Sequence, residues 1–319
     1  ASGHDVTLLE ARARIGGRIH TSRLWPDLPM DLGASWIHGR DGNPLTDLAQ
    51  AAGAVTVATS YAASVLLGPD GAETGPDLHP AERLLDRALE AAGQRGQDVS
   101  VMAALEASAE WRGAAPPLRR LVRYLVNSRL EQEYGSPARL LSAWHGQETE
   151  TFAGPDVLFP GGFGQVTAHL ARGLDIRLSA EVREIAPDGV RLADGSRLAA
   201  QTVICTLPLG VLRSGGVRFA HPLSPGRMAA IDGLRTGLLN KCWLRFDRVR
   251  WPGDVDWIGW LGAQPGHWGE WVSLARAIKA PVLLGFNAAD AAEEIETLSD
   301  RDTVAAAHAA LRAMFGTRF

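Results

Sequence analysis

Residues 1–21 read ASGHDVTLLEARARIGGRIHT, and the order of residue types in this stretch decides the fold class. Asp5 to Glu10 is a short, largely apolar run ending in an acid, the pattern of a buried strand whose carboxyl end carries a carboxylate. Gly16 and Gly17 follow within one loop, and Arg18 comes directly after them. A carboxylate at the end of such a strand can accept both hydroxyls of a ribose. Adjacent glycines let the backbone approach a pyrophosphate without a Cβ clash, and a guanidinium offers a forked cation to phosphate oxygens. Singly, each feature has a plain explanation: a surface Glu, a glycine turn, a solvated Arg. At this spacing they make half of a dinucleotide site, with no GxGxxG loop before them. The later GGFGQV precedes a helix but follows no clear strand.

The 319 residues suffice for two domains and a sizeable core. A net charge of −4 gives no reason to expect nucleic acid or an anionic membrane as partner. Two cysteines, Cys205 and Cys242, are too few and too far apart for a disulfide framework or a metal knuckle, and both read as small buried residues. No apolar run reaches membrane-spanning length. Ten tryptophans against three tyrosines is unusual, and six fall between Trp243 and Trp271. They point to an aromatic-rich sheet or cavity wall, with core packing the commoner use of the residue.

Along the chain, DLGASWIHG is followed by a helix with Asn43 as N-cap, Pro44 in its first turn and Gly53 past its end. From there to about Glu150 the pattern is mostly helical. PAERLLDRALEAAG and PPLRRLVRYLVNSRLEQEYG space apolar residues three and four apart, and SPARLLSAW starts with a Ser cap and Pro. GPDGAETGPDLHP reads as loop. Then FPGGFGQVTAHLARG is a glycine turn into a helix. DIRLSAEVREIAPDGVRLADGSRLAAQTVICTLP gives short strands joined by Asp-Gly turns. KCWLRFD, DWIGWLG, EWVSL and VLLGFN are four further strands, and a helix from about Asp300 to Phe315 follows.

These segments together resemble one family. LLEARARIGGRIHT with DLGASWIHG is strongly similar to the flavin-containing amine oxidases, especially polyamine oxidases and the related histone lysine demethylases. FPGGFGQVTAHLA, DIRLSAEVREI, VICTLPLGVL, LLNKCWLRFDRVRW and LLGFNAADAAEEIETLSD extend the similarity along essentially the whole chain. Residues 56–150 are least distinctive. The first motif is shared with phytoene desaturases and protoporphyrinogen oxidases, whereas the NKxxLxF pattern around Lys241 separates amine oxidases from them.

The resemblance implies a mixed α/β fold. Residues 1–55 and 151–236 would form a discontinuous, incomplete, Rossmann-like FAD/NAD(P)-binding domain. Residues 56–150 and 237–319 would form a substrate domain of helices on an antiparallel sheet. Glu10 would bind the adenosine ribose of FAD, Arg12 would lie near it, and Gly16, Gly17 and Arg18 would meet the pyrophosphate. Gly33, Ala34 and Ser35 would bring backbone to the flavin ring, with Trp36 and His38 toward the substrate. Val182 would pair with adenine and Pro208 would line the same end. Lys241 would reach flavin N5 through a water, at the opposite end of the cofactor from Glu10. Read alone, Lys241 is a surface lysine opening an edge strand, the usual place of a lone Lys, and His38 is equally an exposed loop histidine.

The implied reaction is oxidation of a C–N bond of a polyamine-like primary or secondary amine. A hydride passes to N5, and the products are an imine or aldehyde and hydrogen peroxide. Partners are then an amine and oxygen, and the expected location is cytoplasmic. Relatives carry further segments on both sides of the matching region, including the GxGxxG loop. A polypeptide of these residues alone is therefore expected to bind FAD weakly, and missing segments or a complementing chain are expected partners. The alternatives are a non-catalytic or partial subunit of a split flavoprotein, and an L-amino-acid oxidase.

Overall fold

The computed structural model describes residues 3–145 and 151–319. It divides into two compact units, each built from separated stretches of chain. The first comprises Ala1–Ser35, Asp47–Val55 and Gly161–Thr236; the second comprises Trp36–Thr46, Thr56–Pro160 and Gly237–Phe319.

In the first unit, strand Thr7–Leu9 pairs in parallel with Asp175–Arg177, Leu8 standing opposite Ile176. The strand expected to be buried is exposed: Val6 is 53% and Leu8 42% accessible. Its hydrogen-bonded neighbour covers one edge, and nothing among the described residues is paired on the other. A second sheet has the order Arg197–Ala199, Gly189–Leu192, Val182–Ala186, Arg218–Phe219. Its first three strands are antiparallel, and Arg218–Phe219 runs parallel to Val182–Ala186. Both Asp-Gly turns form; Asp194 Oδ1 accepts the Ser196 N–H at 2.9 Å across one of them. Residues 201–208, expected as a further strand, have no ladder partner among the described residues, and Ile204 and Cys205 are exposed. The apolar run VICTL marks a strand only where a neighbour takes its backbone groups.

The second unit holds two cores. In one, helix His79–Gly93 buries Ala81, Leu84, Leu85, Ala88, Leu89 and Ala92, the stripe its periodicity demands. This stripe packs with Val101, Leu105, Val122 and Leu125 of the following helices. Helix Pro116–Val126 runs into a π-helical turn, Asn127–Glu131. SPARLLSAW is not a helix: Ala138 and Leu141 give their carbonyls to the N–H groups of Met102 and Val101, capping helix Val101–Ala107 instead of continuing their own.

The other core lies under a five-stranded sheet of order Leu239–Arg245, Val282–Ala288, Glu270–Ser273, Trp257–Trp260, Ser64–Leu67. All four strands expected in this region form. The sheet is mixed rather than antiparallel, because Ser64–Leu67 from the expected helical region adds parallel to Trp257–Trp260. Strand Val57–Thr59 was likewise hidden in that region; it pairs with Asp156–Leu158, which pairs with Trp36–Ile37. The register sorts the faces of the five-stranded sheet. Leu244, Leu283, Trp271, Ile258, Val65 and Leu67 point to one side, and pack with Ala307, Ala310, Leu311 and Met314 of helix Asp300–Phe315. The opposite side carries Lys241, Phe286, Glu270 and Gly259 as one row of paired residues.

Candidate functional site

The candidate residues fall into two sets, one in each unit. In the first unit, Glu10 immediately follows Thr7–Leu9, and its N–H donates to the Arg177 carbonyl at 3.0 Å. Its side chain turns back, so that Oε1 accepts the Arg12 N–H at 2.8 Å. Ser179 and Ala180 donate to the carbonyls of Arg12 and Glu10. Val182 begins a strand two residues further on, which brings Glu10, Arg12 and Val182 into one neighbourhood. Pro208 is exposed and stands at the N-cap position of a short helix, Leu209–Arg213.

The glycine loop is held from within. Gly16 has φ +102 and Gly17 φ +54, and the Ile19 N–H closes on the Gly16 carbonyl at 2.9 Å. A Cβ on Gly16 would meet the Ile19 carbonyl oxygen at 2.5 Å, while beside Gly17 the space is open. Arg14 is the brace: its guanidinium donates to the carbonyls of Ile15, Gly17 and Ile19 at 3.0–3.3 Å. The sequence pattern did not single out Arg14, unlike Arg12 and Arg18. The latter two have no ion-pair partner among the described residues. His20 senses the local field; burial and the charges of Arg14 and Arg12 hold it below the usual histidine range. A loop with open glycine backbone, two unpaired guanidiniums and a positive field fits a pyrophosphate, and the Glu10 carboxylate fits a ribose.

Gly33, Ala34 and Ser35 lie against the same loop. The Ala34 N–H donates to the Arg18 carbonyl at 3.2 Å, and a Cβ on Gly33 would fall 1.8 Å from that oxygen. Ser35 is buried and donates to the carbonyls of Asp31 and Gly33. Buried Asp31 was not singled out in the sequence. It accepts the Thr21 hydroxyl and the Phe163 N–H, and Thr21 Oγ1 accepts the Gly164 N–H, which ties DLGAS to the start of helix Gly164–Leu170.

In the second unit, Lys241 Nζ stands 5.4 Å from the centre of the Trp36 ring. Trp36 is 6.3 Å from Trp257 and 6.4 Å from Phe286, and Trp257 stacks on Tyr61 at 4.2 Å. The Trp36 indole N–H donates to Thr59 Oγ1 at 3.1 Å, which fixes the ring's orientation. Sequence reasoning named Trp36 and Lys241 and counted Trp257 in the tryptophan cluster, but it did not name Tyr61 and Phe286 around them. Trp251, Trp268 and Trp271 are core residues, whereas Trp243, Trp257 and Trp260 of the same cluster are only half-buried. His38 is at the surface, its side chain 73% accessible, paired through Nδ1 with Asp156 Oδ2 at 3.0 Å. Cys242 lies on the opposite sheet face from Lys241, and burial pushes its thiol up to about 11.

Glu270 completes the row. Tyr124 OH donates to its Oε1 at 3.1 Å. Burial pushes its carboxyl up to about 7, against hydrogen bonds from Tyr124 and Gln132 and the charge of Arg129. A groove of about 460 Å³ lined by Arg83, Arg87 and Glu110 lies in the helical part of this unit and contains none of these groups.

The sequence model of the flavin containing amine oxidoreductases matches residues 1–319. The chain belongs to that family. It is 32% identical over 335 residues to the probable polyamine oxidase 4 of Arabidopsis thaliana, covering 97% of this chain and 67% of the relative. It is 31% identical to the lysine-specific histone demethylase 1 homolog 3 of Oryza sativa subsp. japonica, covering 99% of this chain and 41% of that one. The chain thus spans about two thirds of the first relative and two fifths of the second. Among solved structures, a putrescine oxidase double mutant superposes with a TM-score of 0.72 at 20% identity, over 97% of this chain and 76% of the other. The mixed α/β fold expected from the sequence is that of these neighbours, and FAD is the family's cofactor.

Proposed function

We propose that this protein oxidises a C–N bond of a polyamine-type primary or secondary amine, yielding an imine or aldehyde and hydrogen peroxide. When bound, FAD supplies the hydride acceptor at N5 and the route of the electrons to oxygen. Glu10 would accept the ribose hydroxyls, and Gly16, Gly17, Arg12 and Arg18 would hold the pyrophosphate. Gly33, Ala34 and Ser35 would offer backbone to the ring, Val182 to the adenine, and Pro208 would line that end.

The observation that carries the reading is the setting of Lys241. Its ammonium lies over the Trp36 ring, beside Trp257 and Phe286, in a chain whose family oxidises amines. Apolar rings around one cation exclude water and favour the neutral form of an amine bound there, the form that can give up hydride. Lys241 holds a water at its Nζ and moves the proton that accompanies oxidation. His38 directly follows strand Trp36–Ile37, paired to Asp156, and serves as a further proton carrier toward the surface. An amino acid would bring a carboxylate to a face that already carries Glu270, so the structure favours amines over that alternative.

The test is a panel of primary, secondary and polyamines mixed with the FAD-loaded protein, followed by flavin bleaching without oxygen and peroxide release with it. Lys241→Met is expected to slow flavin reoxidation by roughly 10²-fold or more while leaving the bound flavin spectrum in place. Unchanged reoxidation in that variant would remove Lys241 from the mechanism.

A further inference from the structure

Of the 32 lysines and arginines in the chain, two are lysines, Lys241 and Lys279. Arginine is the ordinary cation of this protein, and it is also the commoner permanent partner for a ring face. A lysine at 241 places over Trp36 a cation that can release its proton, and its seat depends on the plane of that ring. The face of an indole attracts an ammonium, whereas its edge repels one. We propose that Thr59 is the positioning residue of this pair: its hydroxyl locks the Trp36 indole in the plane that seats the Lys241 ammonium. The inference rests on the amine oxidase reading given above.

Three observations build Thr59 into this role. Trp36–Ile37 and Val57–Thr59 both pair with Asp156–Leu158, Trp36 opposite Leu158 and Thr59 opposite Asp156. The two side chains therefore stand on one face with a strand between them, about 10 Å from backbone to backbone, a span that an indole crosses. Its N–H, the single polar group of the ring, donates to Thr59 Oγ1 at 3.1 Å. Thr59 is itself held: it is buried and β-branched, so its rotamer is stiff. The next residue anchors the backbone, since the Ser60 N–H donates to fully buried Asp256. Asp156, on the same face between Trp36 and Thr59, is occupied, its two oxygens meeting His38 Nδ1 and the Gly39 N–H. It leaves the indole to Thr59. The ring neighbours of Trp36 are His38 at 6.5 Å, Trp257 at 6.3 Å and Phe286 at 6.4 Å, and they pack without a directional bond.

Because the chain has two lysines, carbon-13 labelling at lysine Cε gives two methylene signals, and exposed Lys279 is the internal reference. Lys279→Arg assigns them. In the FAD-loaded protein the Lys241 signal should be displaced by the ring current of Trp36. Thr59→Val keeps the shape and the branching and removes the acceptor. It should collapse that displacement toward the Lys279 position and slow flavin reoxidation by roughly tenfold, with KM for the amine within about twofold. Thr59→Ser restores the hydroxyl and should recover both readouts. Trp36→Phe has a ring without the N–H, so adding Thr59→Val to it should bring no further loss of rate. A Lys241 signal unmoved by Thr59→Val, or equal losses in Thr59→Val and Thr59→Ser, overturns the assignment. A lower melting temperature with the signal in place makes Thr59 a structural residue only, and overturns it as well. A protein that oxidises no amine fails the oxidase reading, and the lysine signal then still decides whether Thr59 seats Lys241.

Discussion

Gly33 and Gly17 look alike in the sequence and are held for different reasons. Gly33 lets two backbones cross, since a methyl there would lie 1.8 Å from the Arg18 carbonyl oxygen. Gly17 has φ +54 and open space beside it, so its requirement is conformational. Gly33→Ala should therefore destabilise by about 3 kcal/mol through overpacking, and Gly17→Ala by about 1 kcal/mol through left-handed strain. Urea midpoints of the two variants, measured on the same protein, would separate the two causes. Reversed magnitudes would show that the crossing relaxes. The sequence carried Glu10, the glycines and Lys241 because each stands in a short pattern with a chemical reason for its spacing. It hid Arg14, Asp31 and Glu270, whose roles come from what folds against them. Glu270 opens EWVSL and looks like a solvent-facing strand end; only its register with Gly259 and Phe286 and its bond to Tyr124 reveal it.

Elements were legible where the local code agreed with the tertiary setting. Asp300–Phe315 was expected from its composition, and it starts at a Ser299 cap and ends before Gly316 at φ +66. The four strands of residues 239–288 follow their alternation, because one face packs on helices and the other carries polar and aromatic groups. VICTL and SPARLLSAW went the other way. Each has an internally consistent local pattern, and partners elsewhere decide its backbone bonds. The segment 60–64 shows how a sheet edge depends on such a partner. Asp256, fully buried, accepts the Ser60 N–H at 2.8 Å and Arg276 Nε at 2.8 Å, with a second contact from Arg276 Nη2. Its own N–H donates to the Ala63 carbonyl, which starts the parallel pairing of Ser64–Leu67. Asp256→Ala leaves a guanidinium and a backbone N–H without their acceptor, and should cost about 3–5 kcal/mol. Thermal unfolding would register it, and a loss below about 1 kcal/mol would mean the pair behaves as a surface one.

Across the molecule, the expected cofactor-holding residues and the expected reacting residues separate by unit. Glu10, Arg12, Arg18 and Val182 lie in the first, and Trp36, His38 and Lys241 in the second. The second unit also carries the group that should couple folding to pH. Glu270 has its carboxyl raised from 4.5 to about 7, so the folded state binds a proton that the unfolded chain has released across that interval. Stability from this group is fully present below pH 4.5, declines as pH rises through 7, and is then gone. The size is on the order of 2–3 kcal/mol. Urea unfolding at pH 5 and pH 8 should show that loss, and Glu270→Gln, which cannot ionise, should abolish it. A pH slope that survives in Glu270→Gln would assign the buried proton to another group.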